Sequence, residues 1–228
     1  MPQILTPRLR SQMVLYSRKL HQMGWVANHD GNLSVRLQGE RLLITATSYS
    51  KADIDDAALL VVDMSGKVLE GRRKPFSELE LHIAVYNARP GVEAIAHAHP
   101  PYATAMGLSG SSLMLAAMPE VVVSLGAGIP TAPLSMPKTP EGRERVAELA
   151  RKHNAMLLAG NGALTVGDNL SMAYLRMELV EHYAKIVTLA RQMGPVRELA
   201  PEQVEKLLEA RRKAGLEPNP EAERKACK

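Results

Sequence analysis

Leu9, Met13, Tyr16, Leu20 and Met23 recur at helical spacing behind Thr6-Pro7, and Gly24 stops the run. Thr before Pro is a helix-start signal, because Pro lacks only an N–H that the first turn leaves unused. The period then changes to two. "NLSVRL" (32–37), a Gly39-Glu40 turn and "RLLITAT" (41–47) predict a hairpin. "ALLVVDM" (57–63), Ser65-Gly66 and "KVLEG" (67–71) predict another.

Helical spacing returns over 77–89, opening on Ser77 and closed by Pro90-Gly91. "VEAIAHAH" (92–99) reads as a strand, and "YATAMGL" after the double proline as a short helix. "VVVSL" (121–125) reads as a buried strand, and 139–153 as a helix capped by Thr139. "AMLLAG" (155–160) and "NGALTVG" read as strands either side of a turn, and 169–193 as a long amphipathic helix. Pro195 and Pro201 set off a last helix, 202–214, and a charged tail expected to be disordered beyond Pro218. Hairpins first and alternating helices later predict an α/β fold with a mixed, mainly antiparallel central sheet and helices on both faces. The expected organisation is one domain over 1–194, followed by a C-terminal helix and charged tail over 195–228.

Composition narrows the function classes. Of 228 residues, 46% are hydrophobic and 23% charged, as in ordinary globular proteins. Aromatics make up only 4%, so Leu, Val, Ile, Ala and Met must build the core. The net charge is +4, yet the basic residues form no stripe and no stacking aromatics accompany them. That argues against nucleic acid and suits a small anionic substrate. The one cysteine, Cys227, excludes an intrachain disulfide. The N-terminal residues carry Arg and Lys through their apolar positions, and no apolar run approaches the ~20 residues of a membrane span. A cytoplasmic protein with no membrane partner is expected.

The chemistry concentrates in "AHAH" (96–99). Alternate strand residues share a face, so His97 and His99 project together about 7 Å apart. They are either two satisfied interior histidines or two ligands of a metal such as Zn²⁺, for which neutral imidazole is well suited. Glu78, in the first turn of the preceding helix, is either a plain N-terminal charge or a carboxylate able to ligate or carry protons. His82 lies one turn along on the same face.

"GNLSVR" (31–36), "LLITATS" (42–48), "KPFSELELHIAVYNARPGVEAIAHAHPPYATA" (74–105) and "LLAGNGALTVG" (157–167), in that order, resemble the class II aldolase and adducin family. Its members include fuculose-phosphate aldolase and ribulose-phosphate 4-epimerase. The resemblance implies a three-layer α/β/α fold and a homotetramer with a Zn²⁺ site between subunits. It also implies His97 and His99 as ligands and Glu78 as the acid/base. Gly31, Asn32, Thr47, Ser48 and Ser77 fall where the family holds a substrate phosphate. The family's third zinc histidine corresponds to Asn161. Phe76 stands where phosphate-using relatives carry serine, and Ser48 where they often carry glycine. Residues 119–121 read "PEV" where the aldolases supply a tyrosine, with Tyr102 the closest tyrosine.

The function expected from this is metal-dependent C–C cleavage of a small keto-sugar or polyol-derived substrate, phosphorylated or not, through a metal-stabilised enediolate. The alternatives are a non-catalytic, adducin-like binding module, or diverged chemistry such as decarboxylation, dehydration or epimerisation.

Overall fold

The structure, a computed structural model, describes residues 2–133 and 139–218. Its elements in chain order are α1 (Pro7–Gln22), β1 (Asn32–Leu37), β2 (Arg41–Thr45), β3 (Leu59–Asp63), β4 (Val68–Glu70), α2 (Leu79–Ala88), β5 (Ala94–Ala98) and α3 (Pro101–Ser109). Then come α4 (Pro119–Leu125), β6 (Thr131–Ala132), α5 (Pro140–Lys152), β7 (Ala155–Leu158), β8 (Ala163–Gly167), α6 (Leu170–Met193) and α7 (Pro201–Lys213).

The strands form one sheet in the order β4-β3-β2-β1-β5-β8-β7-β6. Every described pairing in it is antiparallel except β6 with β7. Strand alternation divides the buried side chains into two cores. Leu33, Val35, Ala94, Ala96 and Ala98 face α1, α3, α4 and α6. Leu42, Ile44, Ile95, Leu164 and Val166 face α2 and α5. The result is the expected three-layer α/β/α arrangement. The run of alanines on β5 lets α6 lie close over the sheet centre, where each large apolar side chain that α6 buries contributes roughly 1.5–3 kcal/mol.

Thr6, Thr139 and Asn169 cap α1, α5 and α6 through their side-chain oxygens. Helix α2 begins two residues later than the sequence predicts. Ser77 stays outside it and Glu78 takes the cap position without a capping hydrogen bond. The run 121–125, expected as a strand, is instead helix α4. Pro119 starts it, and Val121, Val122 and Leu125 are buried. An apolar run this short carries no period that separates the two states. Strand β6, two residues long, is too short to leave a period in the sequence.

Helix α7 packs on α4, where buried Arg211 donates to Val123 O at 3.0 Å. Asn154 donates to Leu216 O at 2.8 Å. The tail beyond Pro218 lies outside the described residues. Among the described residues, no helix is long and apolar enough to cross a membrane.

Candidate active site

Antiparallel pairing brings five strand ends to one rim of the sheet. Asn32 at the start of β1 pairs with His97, and Ala98 at the end of β5 pairs with Ala163 at the start of β8. The ends of β2 and β7 adjoin them. Helix α2 delivers Glu78 onto the same rim. His97, Asn32 and Ser34 all point to the α2 side, because they alternate with residues of the opposite core.

His97 is fully buried. Its Nδ1–H donates to Ala163 O at 3.0 Å, so Nε2 is the nitrogen left to face Glu78. That Nε2 lies 3.2 Å from Glu78 Oε2 and makes no hydrogen bond. The His99 ring sits 5.1 Å from that of His97, nearly edge-on. Its Nδ1 faces Asp30 Oδ2 at 3.5 Å, and its buried Nε2 has no hydrogen-bond partner.

Two amides hold the Glu78 carboxylate, Asn32 on Oε2 at 2.9 Å and Asn161 on Oε1 at 2.6 Å. Burial pushes this carboxyl up. The charge of His97 and the two amide hydrogen bonds outweigh burial and hold it well below the usual carboxylate range. Burial likewise disfavours charge on His97, but Glu78 raises it overall. His99 is lowered, chiefly by burial and next by His97.

Behind this group, Ser34 Oγ bridges His82 Nδ1 at 2.7 Å and Tyr86 OH at 2.9 Å. Burial lowers the His82 pKa to about 3, with the charge of His97 adding to it, so the ring is neutral. Phe76 packs edge-on against that ring at 5.0 Å and is itself buried.

The expected residues are thus partly gathered. His97, His99, Glu78, Asn161, Asn32 and Gly31 lie against one another. Gly31 has φ +68°, and a Cβ there would fall 2.4 Å from Val26 Cγ1 and 3.0 Å from His97 O. Thr47 and Ser48 adjoin the segment leading to Ser77 through Thr47 N–H to Lys74 O at 3.0 Å and an Ala46–Pro75 bridge. Ser48 has φ +58°, a conformation glycine adopts more readily. Ser48 and Ser77 are exposed and share the rim, with no hydrogen bond of theirs reaching the histidines.

Tyr102 lies on the other side of the sheet. Its ring meets Lys185 and lines a cleft of about 660 Å³ with Trp25 and His182. Asp30 and Lys51 also lie at the rim and carry no motif in the sequence. Their only signal is position, in loops that the strand pairing folds onto the rim.

The donor chemistry fits a divalent cation. An imidazole nitrogen facing a carboxylate at 3.2 Å needs positive charge between them, from a proton or a metal ion. His97 Nδ1 is hydrogen-bonded to Ala163 O and His99 Nδ1 faces Asp30 Oδ2 at 3.5 Å, while both Nε2 atoms lack a hydrogen bond; two histidines with one carboxylate form a known three-ligand set. Among the described residues, no group of three or more His, Cys, Asp or Glu side chains is placed to hold a metal ion as the side chains stand.

A family model described as the class II aldolase and adducin N-terminal domain matches residues 11–188. The chain is 33% identical over 184 residues to a 3-oxo-tetronate 4-phosphate decarboxylase of Pectobacterium atrosepticum, covering 79% of this chain and 84% of that protein. It is 28% identical over 207 residues to a 5-deoxy-D-ribulose 1-phosphate aldolase of Bacillus thuringiensis, covering 90% and 95%. Its structure matches a solved L-fuculose 1-phosphate aldolase with a TM-score of 0.83 at 30% identity, covering 90% and 97%.

Proposed function

The chain belongs to the class II aldolase and adducin family, and from that premise we propose that it is a metal-dependent lyase that cleaves a C–C bond in a small phosphorylated keto-sugar or keto-acid. The observation that carries this reading is the Glu78 carboxylate, fixed by Asn32 and Asn161 against two histidines with Nε2 turned inward.

In this reading His97 and His99 hold the ion. Bound there, a divalent ion would supply Lewis-acid stabilisation of negative charge developing on substrate oxygen. Glu78, kept anionic by its surroundings, takes the proton of the substrate hydroxyl beside the bond that breaks. It then returns that proton to the carbon left electron-rich. The two amides keep its oxygens aimed, so little reorganisation accompanies the transfer.

Gly31, Asn32, Thr47, Ser48 and Ser77 hold the substrate phosphate through backbone N–H groups and short hydroxyls. Arg72, Arg73 and Lys74 lie exposed beside Thr47 and give that end a positive field. The family resemblance adds a homotetramer with its sites between subunits. Residues 1–194 form the catalytic body, with 195–228 as its arm.

A second reading is decarboxylation, favoured by the 33% identity to the oxo-tetronate phosphate decarboxylase. Loss of CO₂ leaves a similarly electron-rich carbon, and the proton it takes up comes from solvent water that the Glu78 carboxylate orients. Incubation with phosphorylated keto-sugars and 3-oxo acids, with release of aldehyde and of CO₂ both monitored, tests the two. The proposal expects turnover that Glu78→Gln lowers about 100-fold or more. Turnover untouched by Glu78→Gln would sink it.

A further inference from the structure

The loop joining α1 to β1 wraps around His99. At its start, His99 N–H donates to Trp25 O at 2.8 Å. At its end, Gly31 packs on His97 O, and a Cβ there would meet Val26 and that carbonyl. Between these anchors the chain turns tightly, with Asn28 at φ 49° and Asp30 N–H donating to Ala27 O at 2.9 Å. Anchored on both sides, the loop places Asp30 Oδ2 3.5 Å from His99 Nδ1.

A second loop fixes the first. Lys51 is only 2% exposed, and its Nζ donates to Tyr49 O at 3.2 Å and His29 O at 3.5 Å. It therefore staples the loop after β2 to the loop that carries Asp30. Burial lowers the Lys51 pKa to about 8, and the Asp30 carboxylate acts against that lowering.

We propose that Asp30 is a positioning residue for His99. Its carboxylate takes the Nδ1–H and so leaves Nε2 as the lone-pair nitrogen turned toward a divalent ion. The inference rests on the metal reading above. Its physical basis is that a metal-binding imidazole holds its ring and tautomer through the nitrogen that does not bind the metal. His97 shows the same division, with Ala163 O on Nδ1 and an inward Nε2. The difference lies in the partner. His97 leans on a neutral carbonyl inside the sheet, whereas His99, partly exposed, receives a charged acceptor that raises the basicity of Nε2.

The test is Co²⁺ binding to full-length protein stripped of metal, for wild type, Asp30→Ala, Asp30→Asn, His99→Ala and the Asp30→Ala/His99→Ala double variant. Histidine ¹⁵N shifts are recorded before Co²⁺ is added. Asp30→Ala should weaken Co²⁺ binding about 10- to 100-fold. Asp30→Asn should lose less, because its amide oxygen still accepts the N–H. In the His99→Ala background, removal of Asp30 should cost nothing further. Wild-type affinity in Asp30→Ala, or the same loss in both backgrounds, would overturn the inference. If wild type takes up no Co²⁺, the metal reading fails and the shifts decide this inference alone. A His99 Nδ1–H tautomer in wild type that becomes mixed in Asp30→Ala supports it, and an unchanged tautomer overturns it.

Discussion

The Asn161 side chain donates to Glu78 Oε1 at 2.6 Å, from the turn between β7 and β8 to the start of α2. The position where the family resemblance places a third histidine here grips the carboxylate that the reaction would use. Hydrogen bonds to charged groups contribute about 1.5–3 kcal/mol. Asn161→Ala should therefore lower unfolding stability by about that amount in urea titrations. A loss under about 0.5 kcal/mol would mean that water replaces the amide freely.

Gly162 shows how closely that turn approaches the histidine strand. It has φ +74°, and a Cβ there would lie 2.2 Å from Ala98 O and 2.6 Å from His99 Cδ2. Gly24, at φ +70°, has nothing within 4 Å of its Cβ position. Gly24→Ala should cost about 1–2 kcal/mol, the left-handed backbone penalty alone. Gly162→Ala should cost more by about 1–3 kcal/mol, because overpacking adds to it. Equal losses in thermal or chemical denaturation would show that the rim relaxes around the added carbon.

His82 gives a pH signature. Its pKa falls from 6.5 to about 3 on folding, chiefly through burial. Between those values the unfolded chain binds more protons, so this group makes stability rise with pH and fall as pH drops below about 6.5. Measured against His82→Gln, wild type should lose stability on acidification with a slope approaching about 1.4 kcal/mol per pH unit. Parallel pH profiles would contradict a neutral buried His82.

Much of this fold is legible in the sequence because each hairpin carries its own alternation and turn residues. The rim is legible only in part. His97 and His99 announce themselves by spacing, and Glu78 by opening a helix. Asp30 and Lys51 do not, because their meaning depends on β1 pairing with β5 and on a loop closing over His99. The 121–125 run misleads for a related reason. Four apolar residues before a glycine satisfy either a strand or a turn of helix, and packing against α7 and the α6 layer decides between them. The role of Asn161 is hidden the same way, since its partner comes from a helix distant in sequence.

In the proposed reaction His97 and His99 hold a divalent ion beside Glu78. Elemental analysis of wild-type protein purified without chelator, beside His97→Ala and Asn161→His, decides whether they do. About one divalent ion per chain is expected in wild type, and its loss in His97→Ala. Metal that appears only in Asn161→His, or in none of the three, would contradict it.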